Sequence, residues 1–161
     1  MPYHNVHEVT SAFPEEDHVV IDASWGSHWR WDLEDDARRI DLELPSNANC
    51  VSVSPNGPYA AWGLVTGEIY IWDADKDAGQ MVEGHSSSVE CMAFSSDSET
   101  LVSGSTDIWE WSPQAAPEKL CQVGTIIIKC IAISPNGKFV VFRSDTLLVF
   151  HCTTHEVEQI M

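Results

Sequence analysis

The sequence predicts an all-β chain built as a tandem array of four small antiparallel sheets, and three observations predict it. A short apolar strand opens at Thr10, Cys50, Cys91 and Cys130, in steps of 40, 41 and 39 residues; the last three read CVSVSPNG, CMAFSSDS and CIAISPNG. A second marker keeps the same period: Trp31, Trp72, Trp111 and Phe150 stand 41, 39 and 39 residues apart, each ending an alternating run. Between the markers, apolar and polar residues alternate over five or six positions bounded by Ser, Asn, Asp, Gly and Pro, the pattern of antiparallel strands. No stretch keeps a helical period. A unit of about forty residues with several short strands cannot bury its own faces and must stack on a neighbour.

The third repeat shows the plan most clearly. VECMAFS from Val89 to Ser95 is its first strand and TLVSGS from Thr100 to Ser105 its second, joined by a turn at Ser96 to Ser98. A tight Thr106-Asp107 turn leads into IWEWS, and EKLCQVG from Glu118 to Gly124 makes a fourth strand. The fourth repeat matches without a gap as CIAIS, KFVVF, TLLVF and HEVEQIM, with Pro135-Asn136-Gly137 as first turn; Asn-Gly tolerates the positive φ that tight hairpins require. The second repeat reads CVSVS, PYAAWGL, EIYIWDA and GQMVEG, turning at Pro55-Asn56-Gly57 and Thr66-Gly67. The first repeat is the most worn: VTSAF, then HVVIDAS aligned with ETLVSGS, then HWRWDL and ARRIDLEL.

IYIWDADKDAGQMVEGHSSSVECMAFSSDSETLVSGS resembles the WD-repeat family, in which Gly-His begins a unit and Trp-Asp closes its third strand. Gly84-His85 and Trp72-Asp73 match that pattern, and Trp31-Asp32 matches its second half, so the anchors are Trp31, Asp32, Trp72, Asp73 and Phe150. The resemblance spans about Val6 to Met161 and implies β-propeller blades. It also implies one domain over residues 1–161, with repeats at about 6–44, 45–84, 85–124 and 125–161. Four blades are few for a closed ring, so the expectation is an open arc or partial propeller: part of a larger propeller, a gene-model fragment, or a subunit completed by another chain. Open blade edges invite self-association.

The family's buried hydrogen-bonded set, carried over by motif, is His85, Ser103, Asp107 and Trp111. Only the third repeat has all four residue types; elsewhere the His position holds Leu44 or Gly124 and the Ser position Trp62, Phe142 or Asp22. Asp107 sits in a shortened turn, so it reads either as a network member or as a simple turn residue. Arg30 and Glu110 take the third-strand slot that holds Ile71 and Val149 in the better copies. They must reach solvent, or the stack is loose around them.

The chain has 161 residues, 43% hydrophobic, and a formal net charge of −17. That charge argues against binding nucleic acid or an anionic membrane. It admits a basic protein or peptide partner, while carboxylates solvating turns and outer strands account for it more simply. With no run of eighteen apolar residues and no signal-like start, a soluble cytoplasmic or nuclear protein is expected. Five cysteines without framework spacing read as reduced thiols.

Chemistry-bearing patterns are sparse. Asp73, Asp75 and Asp77 form D-x-D-x-D, but Ala78 and Gly84 stand where a calcium loop needs Gly and Glu, so a turn is the simpler reading. His4 and His7, or His151, Cys152 and His155, lack a second ligand pair at zinc spacing. No nucleophile with a base and no phosphate loop stands out, so no cofactor and no enzyme activity are expected. The sequence therefore reads as a non-enzymatic protein-interaction scaffold. In similar proteins, partners dock on loops joining second to third and fourth to first strands, here holding Trp25, Ser27, Asn47, Thr66, His85, Ser86, Thr106, Asp107 and Asp145. The alternative is a detached sensing region of a larger signalling protein, because the third repeat also resembles the C-terminal WD repeats of fungal NACHT-type NTPases.

Overall fold

A computed structural model describes the backbone of residues 9–12, 18–23, 27–32 and 38–42, and residues 48–56, 58–113 and 115–160 with their side chains. These residues form four four-stranded antiparallel sheets, each taking its strands in sequence order. The first comprises β1 (Val9–Ala12), β2 (His18–Ala23), β3 (Ser27–Asp32) and β4 (Arg38–Leu42). The second comprises β5 (Ala48–Val53), β6 (Tyr59–Leu64), β7 (Ile69–Asp73) and β8 (Ala78–Val82). The third comprises β9 (Cys91–Phe94), β10 (Leu101–Gly104), β11 (Asp107–Ser112) and β12 (Ala115–Gln122). The fourth comprises β13 (Cys130–Ile133), β14 (Phe139–Arg143), β15 (Leu147–His151) and β16 (Glu156–Gln159).

Strand pairing corrects the phase of the first repeat. Cys50, Cys91 and Cys130 pair with the residue thirteen positions on, Gly63, Gly104 and Arg143. In the first sheet the pair with that separation is Val9 with Asp22, so Val9 and not Thr10 matches the cysteines. In VTSA, Val and Ser share one face and Thr and Ala the other, so alternation alone left the phase open by one residue. Consequently Ile21, which pairs with Trp29, takes the place of Ser103, which pairs with Trp109; Asp22 does not. The other departure is β12, which begins at Ala115 rather than Glu118 and follows β11 through two irregularities.

One serine device closes three first hairpins. Ser54, Ser95 and Ser134 end the first strands, and their hydroxyls accept from the amides of Tyr59, Thr100 and Phe139 at 2.9–3.0 Å. Ser98 and Gly137 occupy matching turn positions with φ of 63° and 67°, which explains why Asn-Gly suits the fourth repeat.

First strands abut from sheet to sheet, β1 on β5, β5 on β9 and β9 on β13, so they lie innermost, while β8, β12 and β16 are largely exposed. Apolar cores lie between neighbouring sheets. Ala61, Ile69 and Ile71 of the second sheet pack on Val89, Leu101 and Trp111. Val102 and Ile108 of the third pack on Ile128, Val140, Phe142 and Phe150. Val51, Ala60, Trp62, Leu64 and Trp72 form the remaining core cluster, all from the second sheet.

The interface of the second sheet with the third and that of the third with the fourth each have a plug and a socket. A Cβ on Gly63 would lie 2.6 Å from Val89 Cγ1, and one on Gly104 would lie 3.0 Å from Ile128 Cγ2. Val89 and Ile128 each stand two residues ahead of the next first strand and are fully buried. Glycine at these two second-strand positions leaves room for the lead-in residue of the following sheet; the matching position of the first sheet holds Asp22.

Candidate functional site

A buried polar cluster lies in the third sheet. His85 arrives on the connection from β8, Ser103 sits in β10, and Asp107 opens β11. His85 Nδ1 is 2.5 Å from Asp107 Oδ1, and its Nε2 is 2.8 Å from Ser103 Oγ. Trp109 Nε1 donates to Asp107 Oδ2 at 3.0 Å, and Lys119 Nζ from β12 approaches the same oxygen at 3.0 Å. Burial pushes the His85 pKa down against the pull of Asp107. The ring is therefore neutral, with Nδ1–H donating to Asp107 and Nε2 accepting from the Ser103 hydroxyl. Burial also works against the Asp107 charge, but the bonds from Lys119, Trp109 and His85 outweigh it and hold its pKa below the usual carboxylate value.

The structure therefore brings His85, Ser103 and Asp107 together, with a different tryptophan from the one expected. Trp111 packs edge-on to Tyr59 of the second sheet, with ring centroids 5.9 Å apart, and belongs to the apolar core. Trp109, two residues earlier, is the indole that donates. Lys119 is a member that sequence reasoning missed, because a lone lysine on an outer strand carries no motif signal.

The remaining anchors are packing and turn residues. Trp72 and Phe150 are buried; the side chains of Trp31 and Asp32 lie outside the described residues. Asp73 Oδ1 accepts from the amides of Asp75 and Lys76, and its Oδ2 pairs with Lys76 Nζ at 2.6 Å, which organises the D-x-D-x-D segment as a turn. Among the described residues no group of three His, Cys, Asp or Glu side chains is placed to hold a metal ion. Glu110 is half-buried toward the fourth sheet and pairs across strands with Glu118; burial and that like charge push its pKa up. The five cysteines are free thiols.

Of the expected docking loops, Trp25 and Asn47 lie outside the described residues, as does the Ser27 side chain. Thr66, Ser86 and Asp145 are exposed, Thr106 is half-buried, and Thr66 bonds to Glu68. The same two loop classes also expose Val65, Ile126 and Ile127, with 43–49% of their surface open. Of the three isoleucines in TIIIK, only Ile128 turns inward, and no sequence motif marks the other two as surface residues.

Four antiparallel sheets packed face to face with their first strands innermost define a run of β-propeller blades. The WD domain, G-beta repeat family model matches residues 78–107, spanning Gly84-His85 and Asp107. Over those residues the chain is similar to the WD-repeat family, and its sheets have the fold of propeller blades. It is 28% identical over 116 residues to Protein ROOT INITIATION DEFECTIVE 3 of Arabidopsis thaliana, covering 69% of this chain and 26% of that protein. It is 33% identical over 79 residues to Pre-rRNA-processing protein IPI3 of Mycosarcoma maydis, covering 46% and 14%. The crystal structure of RRP9 WD40 repeats superposes with a TM-score of 0.79 at 18% identity, over 98% of this chain and 52% of that one. The chain thus spans about a quarter or less of these relatives and about half of that solved propeller.

Proposed function

We propose that this chain is a protein-interaction scaffold whose docking face is built by the loops joining second to third and fourth to first strands. WD-repeat propellers generally act as non-enzymatic scaffolds that bind other proteins. The observation that carries the reading is the contrast between what is sealed and what is open. Ser103, His85 and Asp107 have the connectivity of a hydrolytic triad, but Ser103 is 1% exposed and the His85 side chain is fully buried. A substrate carbonyl has no route to that hydroxyl, so the bonds pin strands instead of activating a nucleophile. The loops on the proposed face, by contrast, expose Val65, Ile126 and Ile127, and Asp145 is exposed on another loop of the same class. Apolar anchors and a carboxylate on loops of one face suit a partner segment carrying an aliphatic or aromatic residue and a base. The charge of −17 favours such a basic partner and disfavours nucleic acid and anionic membranes.

A pull-down from cell extract with wild-type chain and an Ile126→Ser, Ile127→Ser, Asp145→Ala variant tests this. Loss of the captured partners from the folded variant is expected. Retention of every one of them would move docking to another surface. The likeness to a pre-rRNA-processing protein makes the nucleus the first compartment in which to look.

A further inference from the structure

The outer edge of the second sheet is not built like the other three. A strand at the end of its sheet presents unpaired amides and carbonyls on one side, and charged residues or proline normally blunt such an edge. β4 carries Arg38, Arg39 and Asp41, β12 carries Pro117, Glu118 and Lys119, and β16 carries Glu156 and Glu158. β8 reads AGQMV, with neither charge nor proline, and its first four residues are exposed. It ends its sheet, with β7 on its inner side. Beside this edge lies a cleft of about 280 Å³ between the second and third sheets. Tyr59, Ile71 and Trp111 give it apolar walls, and Ala78 and Gln80 of β8 form its rim. On the opposite face of β8, Tyr70 lies across Gly79, so the cleft is the open side.

We propose that β8 takes a fifth strand from another protein: an extended segment that places one large apolar side chain, leucine or phenylalanine, in this cleft and carries lysine or arginine at its ends. Backbone pairing supplies the affinity in such a mode, and the pocket for an alternate side chain supplies the specificity. Residues paired across neighbouring strands share a face, so the partner residue opposite Ala78 or Gln80 points into the cleft. The volume suits one side chain and falls below the roughly 300–1,000 Å³ of small-molecule pockets. Charge selects the flanks. Lys76 pairs with Asp73 at 2.6 Å within the lining, which disfavours a cation inside the cleft. Asp75 and Asp77 stand exposed just before β8 and Glu83 just after it, so a strand laid along β8 meets carboxylates at both ends. The site is separate from the loop face proposed above, because Asp73 to Asp77 turns from a third strand into a fourth.

Fluorescence anisotropy of a labelled peptide titrated with the full chain tests the proposal. The peptide carries one leucine at the centre of a threonine run and two lysines at each end, and saturable micromolar binding is expected. Serine in place of the leucine should weaken it about tenfold or more, as loss of a buried leucine does. Of two peptides N-methylated at alternate residues in opposite phase, the one blocked on its pairing edge should not bind and the other should. Ala78→Lys, at an exposed position on the rim, should weaken binding about tenfold or more by like charge, with an unchanged far-ultraviolet spectrum. Asp75→Asn, Asp77→Asn should weaken it less and flatten its dependence on salt. No binding up to millimolar concentration, equal binding of the serine peptide or of both N-methylated ones, or binding indifferent to Ala78→Lys would each overturn the proposal. Loss of binding in Ile126→Ser, Ile127→Ser with Ala78→Lys unaffected would put the peptide on the loop face and overturn it as well.

Discussion

The third and fourth sheets share one frame and fill it with opposite chemistry. Where the third places His85, Ser103, Asp107 and Trp109, the fourth places Gly124, Phe142, Thr146 and Leu148. The third joins three strands and a connecting loop through directional bonds that fix their relative positions. The fourth relies on Phe142 and Phe150, both fully buried, and on the area they remove from water. The second sheet follows the fourth, with Trp62 in the serine position and Tyr70 tilted against it at 6.1 Å. A propeller blade therefore does not need the polar network. It needs either a satisfied network or a large apolar filler, and a half-converted site would combine a cavity with unpaired polar groups.

Truncating the filler should have the largest effect. Phe142→Ala is expected to destabilise by about 3–5 kcal/mol, the range for a large aromatic in a core, read from denaturant midpoints; a loss below about 1 kcal/mol would show that the site is not tightly packed. Asp107→Ala should come next, at about 3 kcal/mol, because it strands His85 and Trp109 without their acceptor. Matching losses in Asp107→Ala and a Ser103→Ala, Asp107→Ala double variant would indicate one coupled unit.

A smaller effect should appear with pH. The folded-state pKa of His85 lies below its ordinary value, so the unfolded chain takes up the proton first as pH falls. Stability contributed by the neutral ring is full above about pH 6.5 and declines as acid carries the chain down toward the depressed folded value. Wild type should lose more stability than His85→Asn between about pH 7 and pH 5, in paired denaturation curves. Glu110 has the opposite sign. Its pKa is raised by burial and Glu118, so Glu110→Gln should stabilise at neutral pH by a few tenths to about 1 kcal/mol. That gain should vanish below the ordinary glutamate value of 4.5.

Sixteen strands in four sheets were legible because two markers of different chemistry, a small strand-opening residue and a strand-closing aromatic, keep one period. What escaped was decided by contacts that a period does not encode. Thr10 and Val9 differ only in which face each presents, and pairing to β2 resolved them. Trp109 and Trp111 share a strand face, so composition could not say which indole reaches Asp107 and which packs on Tyr59. Glu110 was recognised as an anomaly in an apolar slot, but its pairing with Glu118 depended on the register of β12. Among the exposed loops, Ile126 and Ile127 were hidden in an apolar run whose third member alone turns inward.

Gly63 and Gly104 give the array a direction. Each is a recess that takes one side chain from the module that comes after it, so the modules join head to tail in a single order. The second and third copies could trade places or be duplicated with their recesses intact. The first and fourth copies carry Asp22 and Arg143 at that position, so they do not offer the glycine recess that the second and third share.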